Sequence, residues 1–431
     1  MGEKTKILIV AGCFAPASAV GAKRPTGVAL ELQRLGHKPV VLTLARNCFT
    51  NTDPSRDSAE LKELDIVRTR CFSVWNHSRK WRFEDSPIKR YPLMLANAFS
   101  KITKNCMGID KLESWAVYGT KIGSRVAIQR KVDIIWATVP ELSSALLAMR
   151  IHKATKLPFV VDYRDLMKPM TGRSRRSWVR KQKVEHEILD ACAGITCVAP
   201  RQLESLAERF PSIANKPKRL IYNFFDPVET ACVGSETSNQ VLKNSIIYGG
   251  ALYGGQRKID GVIRALASGS AKNILRLDFY GRPADQEHVR NLTNKADATQ
   301  FVFMHDSVEQ SDFEKRCRES AIQLLIVGHG AMHEDTIPAK LFDYFRAARP
   351  LLVVGPKDCF AGQLAEQTNR GISVADDDIP GIANAIEKLQ GSLDRNGKPL
   401  DFSPTAVDRF TRARCVAELE DFITHLKRQE N

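Results

Sequence analysis

The run Glu334-Asp335-Thr336-Ile337-Pro338-Ala339-Lys340-Leu341-Phe342-Asp343-Tyr344-Phe345-Arg346-Ala347-Ala348-Arg349-Pro350 holds residue types that suit a phosphorylated sugar ligand. An acidic turn, Glu334 and Asp335, precedes an expected helix that carries a second acid, Asp343, two turns in. Pro338 sits near the helix start, where its missing N–H costs little. A helix N-terminus offers N–H groups to a diphosphate, and a carboxylate one or two turns further in can reach ribose hydroxyls. Phe342, Tyr344 and Phe345 give this helix apolar surface to bury, and an apolar strand, Leu351 to Gly355, follows at once. A capped core helix with solvated acids would use the same residues.

Further residues of the same kind lie in loops. Gly249-Gly250-Ala251-Leu252-Tyr253-Gly254-Gly255-Gln256-Arg257-Lys258 frees backbone N–H groups and supplies two cationic heads, which together suit a diphosphate. The alternative is a glycine-rich turn with a solvated basic pair. Gly281-Arg282 closes another apolar run, and Gly328-His329-Gly330 precedes the acidic turn. Near the start, the loop from Gly12 to Gly27 contains Gly21, Lys23 and Arg24, where glycine permits close approach of a ligand. It is not a G-x-G-x-x-G fingerprint, so a dinucleotide is not expected there. Asp162, Arg164 and Asp165 follow an apolar strand at the end where doubly wound folds place ligands. A structural Arg–Asp pair is the other reading. Asp376-Asp377-Asp378 reads as a helix N-cap and not as a metal site. No other run gathers His and carboxylates at ligand spacing, and no metal is expected.

The elements that must position these residues alternate between strand and helix. Strands are expected at Lys6–Val10, Pro39–Leu44, Asp133–Trp136, Pro158–Asp162, Ala191–Val198 and Ile221–Tyr222, with helices at about Pro25–Leu35 and Pro140–His152. The rhythm restarts with strands at Ser245–Tyr248, Leu275–Tyr280, Phe301–Met304, Ile322–Val327 and Leu351–Val354 and a helix at Ile259–Ala267. Two doubly wound α/β domains follow: residues 1–227, a polar linker 228–244, and residues 245–402. A basic excursion at 68–130 interleaves Arg68, Arg70, Arg79, Lys80, Arg82, Lys89, Arg90, Lys101 and Lys104 with Trp75, Trp81, Phe83, Tyr91, Phe99 and Trp115. It suits an acceptor or an anionic membrane surface, or is a helical excursion with solvated charges.

The net charge of +15 permits an anionic partner: a nucleoside diphosphate, a lipid pyrophosphate, a membrane surface or nucleic acid. The basic residues are widely spread and no nucleic-acid motif occurs, so nucleic acid is not expected. The ten cysteines include no C-x-x-C pair, and Cys192, Cys197 and Cys317 stand in apolar contexts, as core residues of a reducing compartment would. There is no signal-peptide pattern and no apolar run near the ~20 residues of a membrane span. The expectation is a cytoplasmic protein, or one on the cytoplasmic face of a membrane.

In order and spacing, these features resemble the retaining, nucleotide-sugar-dependent glycosyltransferases of the GT-B fold (the family 4 group) over nearly the whole chain. Asp335 and Asp343 match the acid-x7-acid signature, with Asp at both positions. The Asp162–Asp165 run resembles the D-x-R-D-x-W stretch of bacterial members, with Met167-Lys168 where Trp is common. Arg257 and Lys258 are adjacent where the family spaces an Arg and a Lys a few residues apart, and Ala348-Arg349-Pro350 stands where Ala-Gly-x-Pro is usual. The resemblance implies two Rossmann-like domains facing across a cleft, with a C-terminal helix, 403–431, packing back on the first. It implies transfer of a sugar from a nucleoside-diphosphate donor to a glycan or lipid-linked acceptor with retention, in bacterial surface polysaccharide synthesis. It assigns catalytic roles to Asp162, Arg164, Asp165 and Asp335, and an acceptor-side loop to Gly21, Lys23 and Arg24. Donor binding falls to Gly250, Gly254, Gly255, Arg257, Lys258, Arg282, Glu334, Ile337, Pro338, Lys340 and Asp343, with no metal or cofactor besides the donor. Two other readings remain: a nucleotide-sugar epimerase of the same fold, and a non-catalytic protein that binds glycan, membrane or nucleic acid.

Overall fold

A computed structural model describes residues 4–49, 51–53, 56–71, 109–167, 175–226, 242–268, 276–330, 336–393, 399 and 403–429. Glu334, Asp335, Lys168, most of the expected linker and the stretch 72–108, with most of the basic and aromatic excursion, lie outside the described residues. The chain divides into two compact units, Met1–Asn223 with Arg412–Asn431, and Phe224–Thr411.

The first unit is built on β1 (Lys6–Ala11), β2 (Lys38–Leu44), β3 (Asp65–Thr69), β4 (Ile134–Val139), β5 (Phe159–Tyr163), β6 (Gly194–Cys197) and β7 (Lys218–Leu220). They form a parallel sheet in the order β3-β2-β1-β4-β5-β6-β7. β4 and β5 are buried at every residue, as strands covered by helices on both faces must be. The covering helices are α1 (Lys23–Arg34), α2 (Glu113–Arg130), α3 (Leu142–Thr155), α4 (Arg175–Ala191) and α5 (Pro200–Arg209). Two glycines seat α2 on α3: a methyl added at Gly119 would lie 3.0 Å from Leu147, and one at Gly123 2.5 Å from Ile151.

Three sequence expectations shift here. The strand foreseen at Ala191–Val198 begins only at Gly194, because α4 runs to Ala191. The last strand is Lys218–Leu220, not Ile221–Tyr222, since its register pairs Ile195 with Lys218. The sequence reading missed β3, a half-polar edge strand whose pattern differs from the buried apolar runs beside it. The C-terminal segment is a 3-10 stretch, Pro404–Phe410, followed by α12 (Arg412–Gln429). α12 clusters with the first unit, where it buries Cys415, Val416, Leu419, Phe422, Ile423 and Leu426 and ties Arg412 to Glu31 of α1 at 3.0 Å.

In the second unit, β8 (Leu242–Gly249), β9 (Arg276–Tyr280), β10 (Val302–His305), β11 (Ser320–Ile326), β12 (Leu351–Gly355) and β13 (Gly371–Ala375) form a parallel sheet in the order β10-β9-β8-β11-β12-β13. Its helices are α6 (Asp260–Ala267), α7 (Pro283–Lys295), α8 (Gln310–Glu319), α9 (Lys340–Ala347), α10 (Phe360–Gln367) and α11 (Ile379–Gly391). β13 was not foreseen. In both sheets the strand order reverses beside the first strand, between β1 and β4 and between β8 and β11. At such switch points the loops leaving neighbouring strands diverge and open a crevice.

α9 begins at Lys340, so Asp343 lies in its first turn rather than two turns in. Before it the chain enters through short i+3 bonds, from Leu341 N–H to Pro338 O (3.0 Å) and from Phe342 N–H to Ala339 O (3.2 Å). Its aromatic face is anchored: Phe342 and Phe345 pack on Phe410 at centroid distances of 5.6 and 5.5 Å, and Tyr344 donates to Leu324 O.

Candidate ligand site at the switch point of the second sheet

The glycine-rich loop leaves β8 at this switch point. Gly250 has φ +149°, and a methyl added there would lie 3.2 Å from Lys340 Cε, 3.6 Å from Tyr248 Oη and 3.9 Å from Arg257 Nη1. The loop after β8 and the start of α9 thus bring two cations and a phenol around one backbone position. Tyr248 is buried and stacked on Phe279 at 5.3 Å, and burial pushes its hydroxyl up to about 12, which keeps it a neutral phenol. Its hydroxyl and Arg257 Nη1 both donate to Ala251 O, at 3.3 and 3.2 Å. Arg257 Nε is buried without a hydrogen-bond partner in the described structure. Lys340 Nζ lies 4.8 Å from the centre of the Phe313 ring, and that ring closes over Gly249.

Past this cluster the loop is open. Gly254 and Gly255 have φ +66° and +87°, and nothing lies within 4 Å of a methyl added at either. Between them and Leu252, Tyr253 takes φ +52° and is half exposed. Two guanidinium groups flank its ring, Arg257 at 4.9 Å and Arg282 at 5.9 Å. Arg282 immediately precedes α7 and is held by Asp285 at 2.8 Å, an ion pair that raises its own affinity for the proton. Tyr253 is a residue that the sequence reading passed over. Its signal was an aromatic between glycines, in a loop where no core demands one.

Lys258 leans away from Arg257, to Asp376 Oδ2 at 3.3 Å, and the same oxygen meets His329 Nε2 at 2.7 Å. Only one acid of the Asp376–Asp378 run caps a helix: Asp378 accepts from Gly381 N–H ahead of α11 at 2.9 Å. Asp376 is buried and does something else. Ile337 is buried, Pro338 and Asp343 are half buried, and Glu334 and Asp335 lie outside the described residues.

In the first unit, Asp162 is fully buried at the end of β5. Its carboxylate takes Arg24 Nε (2.9 Å) and Nη2 (2.8 Å), Thr138 Oγ1 (2.8 Å) and Thr196 Oγ1 (2.7 Å). Arg24 also donates to Tyr222 O and Ile221 O. Asp162 and Arg24 are therefore one enclosed pair rather than two surface groups. Arg164 donates to Val139 O (2.9 Å), Gly21 O (2.7 Å) and Glu141 Oε2 (3.1 Å), which gathers the first loop, the end of β4 and the start of α3. A methyl at Gly21 would sit 2.4 Å from Arg164 Nη1, so a side chain there would push the guanidinium aside. Lys23 is half buried at the start of α1, and Asp165 is exposed. A separate surface groove of about 480 Å³ along α4, lined by His186, Arg209 and Phe210 among others, contains none of the residues singled out in the sequence.

No protein-family model matches the chain, and no curated protein does. Solved structures do match over nearly its full length. A glycosyltransferase from Rickettsia africae ESF-5 is 12% identical over 99% of each chain, with a TM-score of 0.66. HepE of Anabaena in complex with UDP and glucose is 10% identical over 98% of this chain and 100% of its own, with a TM-score of 0.62. The lipopolysaccharide outer core galactosyltransferase WaaB, in its apo form, is 12% identical over 98% of this chain and 99% of its own, with a TM-score of 0.57. At such identities the likeness is one of fold.

Proposed function

We propose that this chain, which has the GT-B fold of those glycosyltransferases, moves a sugar from a nucleoside-diphosphate donor to a glycan or lipid-linked acceptor, with retention of configuration. The observation that carries the reading is the convergence of Lys340, Arg257 and Tyr248 on Gly250, at the switch point of the second sheet and beside an open glycine loop. HepE of Anabaena binds UDP, and a uridine nucleotide is the first donor to try.

The chemistry is charge stabilisation. Breaking the sugar–phosphate bond leaves extra negative charge on the diphosphate, and donors already held in place stabilise it without reorganising. Arg257 and Lys340 supply the cations, and the loop N–H groups at Gly254 and Gly255 supply further donors. Arg282, stacked with Arg257 about Tyr253, extends the positive surface. Asp343, in the first turn of α9, holds the ribose. No metal is required, because these cations do its work. Asp335 and Glu334 position the sugar. Asp162 acts from behind, by fixing Arg24 and the loop it stands on, while Asp165 is the exposed acid that orients the acceptor hydroxyl. The acceptor is lipid-linked or a glycan at an anionic membrane surface, and the protein works in the cytoplasm in polysaccharide synthesis.

The test is calorimetric titration and thermal shift against nucleoside diphosphates and their sugars. Selective stabilisation by one base is expected, weakened at least tenfold in Arg257→Ala and Lys340→Ala. A protein that none of them stabilises would sink the reading.

A further inference from the structure

Asp376 is buried, with its side chain 4% exposed, yet its two partners, Lys258 and His329, are each about half exposed. The three come from loops after β13, β8 and β11, and both partners use one oxygen, Oδ2. The backbone of Asp376 is fixed from two sides. Its N–H donates to Gly355 O at 3.2 Å, and the first turn of α6 presses on its carbonyl, where a methyl at Gly261 would lie 2.3 Å from the oxygen. A rigid buried acid with two half-exposed partners orients groups for something outside.

A carboxylate only accepts, so the His329 Nε2 facing it carries a hydrogen. In the neutral ring Nδ1 then holds only a lone pair, and among the described residues it has no partner. Phosphate oxygens likewise only accept, and so cannot satisfy that lone pair. A hydroxyl can. The neighbouring Gly330 (φ +87°, nothing within 4 Å of an added methyl) leaves room for one.

We propose that Asp376 is a positioning residue that fixes His329 with Nδ1 outward, and that His329 accepts a hydrogen bond from a hydroxyl of the donor's sugar. The inference rests on the nucleotide-sugar reading above and adds to it the group that recognises the sugar.

The experiment titrates the full chain with UDP and with UDP-glucose, or with the corresponding pair for the base selected above. His329→Ala is expected to weaken the nucleotide sugar about five- to tenfold, the worth of one neutral hydrogen bond, and to leave the free diphosphate within about twofold. Asp376→Ala, which removes the acceptor that holds the Nε2 hydrogen and so frees the ring, is expected to show the same split. Melting curves confirm that each variant is folded. Equal loss for both ligands places His329 on the ribose or the phosphates and overturns the proposal, as does no loss for either. If the wild-type chain binds neither ligand, the donor reading fails and this inference with it. Binding by the wild type and unchanged variants sink this inference alone.

Discussion

Arg24 and Asp162 carry opposite charges to a place that water does not reach, and there they hold each other by two hydrogen bonds of 2.8 and 2.9 Å. Removing one partner of such a pair strands the other, at about 3–5 kcal/mol. Asp162→Ala is therefore expected to lower the unfolding free energy by that order in denaturant titration. A residue acting only in chemistry would instead lose turnover with its melting curve unchanged. Ala348 is the second case. It ends α9 at φ +53°, the left-handed position that glycine takes without strain, where the resembling family has Ala-Gly-x-Pro. Ala348→Gly should stabilise the protein by about 0.5–1 kcal/mol, because relief of about 1–2 kcal/mol of backbone strain exceeds the entropy that glycine adds to the unfolded chain. A melting temperature that falls would refute it. The departure at 348 was visible in the sequence, but its meaning was not, since a dihedral angle has no letter.

At the scale of elements, the candidate site depends on how closely α8 approaches the end of β8. A methyl at Gly249 would lie 2.1 Å from the Phe313 ring of α8, and Lys340 of α9 rests on that same ring. Arg346 of α9 also pairs with Glu314 of α8 at 2.8 Å, so the two helices share both an aromatic and an ionic contact. Gly249→Ala should therefore displace Phe313 and Lys340 together. It is expected to weaken nucleotide binding about tenfold or more and to lower stability by about 1–3 kcal/mol from overpacking. Calorimetry and melting on the one variant read both, and intact binding with lowered stability would separate Lys340 from the ligand. The elements themselves were legible wherever the pattern was strong: β1, β2, β4, β5, β8, β9, β11 and β12 are runs of Ile, Leu, Val and aromatics between loops. β3 and β13 were missed because their half-buried sequences, Asp-Ile-Val-Arg-Thr and Gly-Ile-Ser-Val-Ala, lack a long apolar run.

For the molecule as a whole, the charge of +15 bears on the proposed membrane contact. One helix carries an exposed face that suits it. Val117, Tyr118, Ile122 and Ile128 of α2 are exposed among Lys121 and Arg125, which have no ion-pair partner among the described residues. Among the described residues, no helix is long and apolar enough to cross a membrane, so any such contact by these elements is peripheral. The chain should bind vesicles containing phosphatidylglycerol and not pure phosphatidylcholine, and bind them less as salt rises. With about 1 kcal/mol per cation near such a surface, Lys121→Ala with Arg125→Ala should weaken binding about thirtyfold. Flotation with equal recovery on both lipids, or no loss in the double variant, would exclude this face.

The sequence alone determined two alternating α/β halves and the chemical character of their loops, because burial on both sides of a parallel strand demands apolar runs and the loops between them set glycine beside cations. It could name Arg257, Lys258 and Asp376 but not their partners. Only the tertiary structure decided that Lys340 joins Arg257 at Gly250, that Lys258 turns instead to Asp376, and that Asp162 is enclosed by Arg24. The last two rest on side chains from elements far apart in the chain meeting at about 3 Å, where a buried carboxylate must find a partner, and the order of residues along the chain does not specify which.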